Sequence, residues 1–179
     1  MNRVFLLDRS GSMQSCWDDT IGGYNSFVEG QKGQGGTMTL IQFDHEILES
    51  YKDVPIDEVK PINKESYSPR GSTALLDAIG KVIKDGGDKR IVIILTDGYE
   101  NASKTYTKAH IKDLITVKEK EGWQFIYLAA NQDAFAEGES MGIAPGRTLN
   151  YDVNNTPQLF ATVSAAVSQA SQGGGNVNF

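Results

Sequence analysis

Cysteine and long apolar runs are scarce in this sequence, and each scarcity excludes a class of protein. Cys16 is the only cysteine, which rules out an intrachain disulfide and a structural zinc site built from several cysteines. No apolar run approaches the roughly 20 residues that a membrane-spanning helix needs. The apolar stretch in the N-terminal MNRVFLLD is far too short for a secretory signal. We therefore expect a reduced, cytoplasmic protein.

Positive charge is also in deficit. The 17 lysines and arginines against 23 aspartates and glutamates give a formal net charge of −6. This balance gives no electrostatic footprint for nucleic acid or for an anionic membrane, and it suits cations. We accordingly expect neither nucleic acid nor a membrane as a partner.

The length of 179 residues, with 39% hydrophobic residues, fits one domain with a sizeable core. We expect that domain to occupy residues 1–171. Residues 172–179, QGGGNVNF, are rich in glycine, and we expect them to form a flexible tail unless something binds them.

Apolar runs that predict strands alternate with segments of helical spacing. The strands are predicted at RVFLLD (3–8), TMTLIQFD (37–44), ILESYK (47–52), RIVIILTD (90–97), WQFIYLAA (123–130) and RTLNYD (147–152). Helical spacing is found around 21–28, 75–83, 111–115, 133–141 and 156–167, the last with Thr156 as its predicted N-cap and Pro157 in its first turn. This alternation predicts an α/β, doubly wound three-layer sandwich with a mostly parallel sheet. Only two residues separate the second and third runs, so these form a hairpin, with the third strand as the antiparallel edge.

Two predicted strands end in aspartates. Asp8 ends the first strand in VFLLDRSGSM, where Ser10 and Ser12 flank a glycine, and Asp97 follows a buried strand in ILTDG. In an open α/β sheet, ligands bind at the carboxyl ends of the strands. If these strands are neighbours, the two carboxylates repel each other, and a divalent cation is the simplest compensation. Carboxylate and hydroxyl oxygens suit magnesium, manganese or calcium.

A third polar segment opens the helix in SPRGSTALLDAIG. Thr73 in this position has an ordinary structural explanation, since threonine is a common helix N-cap. The Asp-x-Ser turn at Asp8 is equally common when it is considered alone. The three segments DRSGS, GST and TDG are therefore informative only as a set.

In this order and at these places, the three segments resemble the metal-ion-dependent adhesion site of the von Willebrand factor type A domain family. The resemblance covers nearly the whole chain and implies a Rossmann-like sheet with strand order 3-2-1-4-5-6. It also implies a complete ligand set for one divalent cation, Mg²⁺ first and Mn²⁺ or Ca²⁺ as alternatives. Those ligands are Asp8, Ser10, Ser12, Thr73 and Asp97.

The resemblance further implies a function. In the family, the serine hydroxyls contact the metal directly, the threonine does so directly or through water, and one or both aspartates act through water. An aspartate or glutamate of another protein then fills an open coordination position, which makes the chain a metal-dependent protein-interaction module. Seven neighbouring residues are candidates for the rim that selects the partner, and they are Arg9, Met13, Gln14, Arg70, Tyr99, Glu100 and Asn101.

The biological setting is less defined. A bare, cysteine-poor domain resembles the stand-alone bacterial or phage-encoded members of the family, which would act in the bacterial or host cytoplasm. The partner would then belong to a stress-response or ATPase-linked complex, to the host or to a virion, and we expect a monomer.

Two other function classes stay open. In one, the metal only staples the loops of a structural subunit. In the other, the chain is a metal-dependent hydrolase, but the sequence has no Gly-x-Ser-x-Gly nucleophile motif, and His45 and His110 lie outside any motif. A phosphate-binding loop of the Gly-x-x-x-x-Gly-Lys type is also absent. We therefore expect no enzyme activity.

Overall fold

A computed structural model describes residues 1–130 and 133–179, and within these residues a six-stranded sheet has helices on both faces. Its strands are β1 (Asn2–Asp8), β2 (Thr37–Phe43), β3 (Ile47–Pro55), β4 (Arg90–Thr96), β5 (Gln124–Ala129) and β6 (Thr148–Asn150). Its α-helices are α1 (Trp17–Gln31), α2 (Leu75–Asp85), α3 (Lys108–Lys120), α4 (Ala134–Ser140) and α5 (Thr156–Gly173). A 3₁₀ helix over Gly11–Cys16 leads from β1 towards α1.

The strand order is β3-β2-β1-β4-β5-β6, and β3 alone runs antiparallel to its neighbour. Both the predicted order and the predicted antiparallel edge are confirmed. Strand β1 lies between β2 and β4, with Asp8 opposite Phe43 and Leu7 opposite Leu95. Because parallel strands end at the same edge of a sheet, Asp8 and Asp97 lie close together at the carboxyl edge.

The core forms two layers because successive strand residues point to opposite faces. Phe5 and Leu7 face α1 and α5, whereas Val4 and Leu6 face the side covered by α2, α3 and α4. On the first side, the ring of Phe5 lies 5.2 Å from that of Tyr24, centroid to centroid, in an edge-to-face arrangement. Every residue of β4 is buried, as expected for a parallel strand covered on both faces.

Helix α5 differs from the sequence-based expectations at both of its ends. The N-cap of α5 is Asn155, and Thr156 is the first helical residue, whose hydroxyl donates to the carbonyl of Val153 instead of capping the helix. Helix α5 also continues to Gly173, beyond the expected domain end at residue 171. None of the helices in the described part of the chain has the length and hydrophobicity that crossing a bilayer requires.

The C-terminal residues, expected to be a flexible tail, lie against the sheet in this structure. Val177 is only 1% exposed, and its N–H donates to the side chain of Gln124. The difference from the expectation has a physical cause, because a single aliphatic side chain in a glycine-rich segment finds a buried position.

Candidate metal site

Asp8 is completely buried at the end of β1, and two hydrogen bonds fix its carboxylate. Its Oδ1 accepts the backbone N–H of Ser10 at 2.6 Å, the local bond that aspartate makes in a turn two residues ahead. Its Oδ2 accepts the hydroxyl of Thr96 on the neighbouring strand, also at 2.6 Å. The orientation of this carboxylate is therefore set jointly by β1 and β4.

Three hydroxyls converge beside Gly98. The Oγ atoms of Ser10 and Ser12 are 3.2 Å apart, and Ser12 Oγ donates to Asp97 Oδ1 at 2.6 Å. A Cβ atom at Gly98 would lie 3.3 Å from Thr73 Oγ1, 3.4 Å from Ser12 Oγ and 3.8 Å from Ser10 Oγ. The structure thus brings the predicted hydroxyls around one small space, which glycine leaves open.

Thr73 reaches this space because it does not cap the helix that follows. Helix α2 begins at Leu75 with Ala74 at the N-cap, where no side chain makes a capping bond. The backbone of Thr73 is instead held by the loop after β4. Its N–H donates to Asn101 Oδ1 at 2.8 Å, and its carbonyl accepts the N–H of Asn101 at 3.0 Å. The N-cap explanation of Thr73 is therefore wrong, and its hydroxyl faces the other two.

The two carboxylates are buried without a compensating charge. Burial raises the pKa of Asp8 to about 6, against the lowering effect of the bonds from Thr96 and Ser10, and the nearby Asp97 raises it further. Burial likewise raises the pKa of Asp97, although the bond from Ser12 opposes it. Neither group forms an ion pair with a basic side chain of residues 1–130 or 133–179. Two buried acids and three hydroxyl oxygens are a donor set that fits a divalent cation of the hard, oxygen-preferring kind.

The nearest arginines do not supply that charge, because both bind Asp44. Arg9 Nε lies 2.9 Å and Arg70 Nε 2.8 Å from Asp44 Oδ2, and Arg70 also pairs with Glu46 at 2.5 Å. Burial raises the pKa of Asp44, but the bond from the Glu46 N–H, the bond from Arg70 and the charges of both arginines outweigh it and hold this pKa below its usual value. Asp44, His45 and Glu46 bring potential ligand atoms within 4.8 Å of one another. Two arginine side chains already balance the negative charge of this cluster, so it is the weaker candidate for a metal site.

The predicted rim residues fall into different groups. Gln14, Arg70 and Tyr99 are exposed, Tyr99 by 57%, although the guanidinium of Arg70 is already paired with Asp44 and Glu46. Arg9 is largely covered by its ion pair. Met13 is completely buried, since its side chain in the 3₁₀ helix points into the core. The prediction that Met13 faces a partner is therefore corrected.

Glu100 and Asn101 hold the site together rather than only lining its rim. The carboxylate of Glu100 accepts the N–H of Leu76 at 3.0 Å and that of Ser103 at 2.6 Å, which ties the loop after β4 to the first turn of α2. Asn101 binds Thr73 as described above. The loop that carries Asp97 and the helix that follows Thr73 are thus fastened to each other.

Sequence reasoning missed three residues of the site. Thr96 bonds to Asp8, Gly98 leaves the space between the hydroxyls open, and the hydroxyl of Tyr67 donates to the carbonyl of Asp8 at 2.8 Å. The first two are adjacent to Asp97 in LTDG, so the motif itself was a signal for them. Nothing in the local sequence marks Tyr67, which reaches Asp8 from a loop 59 residues away.

Three solved structures with the same fold are compared with this chain. The von Willebrand factor domain of the type V pili tip protein Mfa5 from Porphyromonas gingivalis superposes with a TM-score of 0.73 at 10% identity, over 96% of each chain. Proximal thread matrix protein 1 from the mussel byssus, with a zinc-occupied MIDAS motif, gives 0.68 at 17% identity over 93% of this chain. Manganese-loaded TRAP protein of Plasmodium vivax gives 0.61 at 16% identity, over 89% of this chain and 71% of its own.

The chain spans 45% of the length of the mussel protein, and at these identities the likeness concerns the fold. No curated protein matches the chain in sequence. A family model, however, matches residues 4–165, which is most of the chain, and its description is the von Willebrand factor type A domain. With the sheet order and helix layers described above, this match shows that the chain belongs to the von Willebrand factor type A domain family.

Proposed function

We propose that this chain is a metal-dependent protein-interaction module, in which a divalent cation docks a carboxylate of another protein. The observation that carries the proposal is the convergence of three hydroxyls beside Gly98, next to two buried carboxylates without basic partners. The ion would be held by five residues, and they are Asp8, Ser10, Ser12, Thr73 and Asp97. The family membership supports this role.

Each residue has a distinct part in this docking. Ser10, Ser12 and Thr73 offer neutral oxygens, so they leave most of the positive charge of an ion in place. Asp8 and Asp97 orient the hydroxyl loops through their hydrogen bonds and balance part of that charge. A bound cation supplies a Lewis-acid position that attracts a carboxylate oxygen.

We propose magnesium as the ion, because hydroxyl and carboxylate oxygens are hard ligands. Zinc and manganese are the ions named for the mussel and Plasmodium proteins, so either ion is a reasonable experimental substitute. The alternative of a metal that only staples the loops is less well supported, since Ser12 is exposed and a partner can reach it.

The setting of the module is also part of the proposal. We propose a monomeric, non-enzymatic protein of a bacterial or phage-infected cytoplasm. Its partner there would be a protein of a stress-response or ATPase-linked complex, of the host or of a virion.

Water-proton relaxation with Mn²⁺ tests the docking directly. Metal-stripped protein is loaded with Mn²⁺, and peptides with one central aspartate or glutamate are added, each with its asparagine or glutamine counterpart. We expect acidic peptides to displace metal-bound water and lower the relaxation enhancement, and amide peptides to leave it unchanged. Ser12→Ala should weaken Mn²⁺ binding at least tenfold, whereas Ser15→Ala, in the same 3₁₀ helix, should not.

If the wild-type protein does not bind Mn²⁺, the proposed metal site is refuted. Binding of Mn²⁺ with no response to any acidic peptide would favour the loop-stapling alternative instead.

A further inference from the structure

The amino edge of the sheet, opposite the candidate metal site, carries a slot filled by the chain's own C-terminus. Gln124, the first residue of β5, is 7% exposed, and its side-chain amide bonds to the main chain of that segment. Its Oε1 accepts the N–H of Val177 at 2.6 Å, and its Nε2 donates to the carbonyl of Gly175 at 3.1 Å. One buried side chain thus bonds to both a donor and an acceptor of the same backbone segment, much as a neighbouring strand would.

The slot also takes one side chain of the segment. Val177 is 1% exposed and belongs to the core layer on the side of α1 and α5. Its neighbours Asn176 and Asn178 are exposed. Recognition by main-chain bonds with a single buried anchor residue is typical of the binding of an extended peptide.

The far wall of the slot is formed by Gly146. Its carbonyl accepts the N–H of Phe179 at 2.8 Å. A Cβ atom at Gly146 would lie 2.6 Å from Asn178 Oδ1, the end of an exposed side chain that can move aside. We call the surface formed by Gln124, Gly146 and the buried position of Val177 the tail slot.

Three consecutive glycines connect α5 to the segment, and each has open space where a side chain would point. A Cβ atom built at Gly173, Gly174 or Gly175 would meet no atom within 4 Å. Gly174 adopts a left-handed conformation with φ of 65°, which ends the helix. Residues 176–179 are therefore positioned by the tail slot rather than by the helix before them.

We propose that the tail slot is a peptide-binding site for a short segment with one buried aliphatic residue, and that residues 175–179 occupy it as a tethered ligand. The same segment of a second copy of this chain fits it in trans. This inference does not depend on a metal ion.

The test uses the 179-residue chain and a synthetic GGNVNF peptide. Val177→Asp expels the tethered segment, because a carboxylate does not fit the buried position, and we expect it to lower the melting temperature by several degrees. The peptide should restore that temperature in a saturable manner at millimolar concentrations and leave wild type unchanged, since a short tether gives its own segment a millimolar effective concentration. A GGNDNF peptide should bind at least tenfold more weakly. Val117→Asp, at an exposed valine of α3, is the matched control.

Two results would overturn the inference. One is a Val177→Asp protein that melts at the wild-type temperature, because then no segment is docked. The other is a destabilised variant that the peptide does not rescue, because the segment is then a fixed part of the fold. Val177→Ala replaces Val177→Asp in both measurements if the latter does not fold. Repeating them in excess chelator should give the same values, which separates this site from the metal site.

Discussion

Thr96 is the last residue of β4, and its side chain bonds both to the end of β1 and to the turn that follows β4. Its hydroxyl donates to Asp8 Oδ2 at 2.6 Å and accepts the N–H of Gly98 at 3.2 Å. A single side chain therefore sets the direction of the Asp8 carboxylate and the path of the turn after β4. At the scale of residues, the site is held in shape by the protein's own bonds.

Asp8→Asn should separate metal binding from folding. Asparagine keeps an oxygen that accepts the Ser10 N–H, but it removes one of two buried negative charges. We expect the metal-stripped variant to melt at or above the wild-type temperature at pH 7.5, with divalent-cation binding weakened at least tenfold. Calorimetry on both proteins measures these two quantities, and an Asp8→Asn protein that unfolds when metal-free would contradict the assignment.

The raised pKa of Asp8 gives the same pair of proteins a pH signature. Because the folded-state pKa of about 6 lies above the ordinary 3.8, the charged form costs stability above pH 6, and this cost disappears as the pH falls towards 3.8. The gap corresponds to about 3 kcal/mol at most. Metal-free wild type should therefore gain stability relative to Asp8→Asn between pH 7.5 and pH 5 in urea titrations. Asp97 is present in both proteins, so parallel profiles would refute the role given to Asp8.

Gly98→Ala should fill the space between the hydroxyls. The new methyl group would lie 3.3 Å from Thr73 Oγ1 and 3.4 Å from Ser12 Oγ, where it displaces any ion or pushes the hydroxyls apart. We expect a loss of metal affinity of at least tenfold, measured by titration with Mn²⁺, and a native circular dichroism spectrum. Wild-type affinity in this variant would place the ion elsewhere.

At the scale of elements, helix α1 carries two adjacent glycines whose surroundings differ. A Cβ atom at Gly23 would lie 2.1 Å from the ring of Phe160 on α5, whereas one at Gly22 would meet nothing within 4 Å. The close contact between α1 and Phe160 therefore requires a glycine at position 23 but not at position 22.

The two glycines provide a matched pair of substitutions. Gly22→Ala should stabilise the protein by about 0.5–1 kcal/mol, because alanine is the better helix former. Gly23→Ala should destabilise it by about 1–3 kcal/mol, since the added methyl overpacks the core against Phe160. Urea denaturation measures both, and equal effects at the two positions would contradict the described packing of α1 on α5.

The elements themselves were largely predictable from the sequence. Buried parallel strands such as β4 carry continuous apolar runs, and the two-residue gap before β3 permits only a hairpin. The start of α5 was misplaced by one residue, because Thr156 and Asn155 are both good caps and only the fold decides between them. Contacts between residues far apart in the chain, in contrast, could not be predicted from any local sequence pattern. The bond from Tyr67 to Asp8 and the docking of Val177 on Gln124 depend on loops that meet only in the folded chain.

At the scale of the whole molecule, the two edges of the sheet contact different parts of the chain. The carboxyl edge gathers the three motif segments DRSGS, GST and TDG around Gly98, which the order of the strands makes possible because β1 and β4 are neighbours. The amino edge receives the C-terminus. The motif segments could be assigned from the sequence because each directly follows a strand or precedes a helix, whereas the tail has no periodic pattern.

Anomalous diffraction from crystals grown with Mn²⁺ tests most directly whether a divalent cation binds beside Gly98. We predict an anomalous peak between the hydroxyls of Ser10, Ser12 and Thr73, and its absence in crystals of Asp8→Asn. A peak confined to Asp44, His45 and Glu46, or no peak in the wild type, would contradict it.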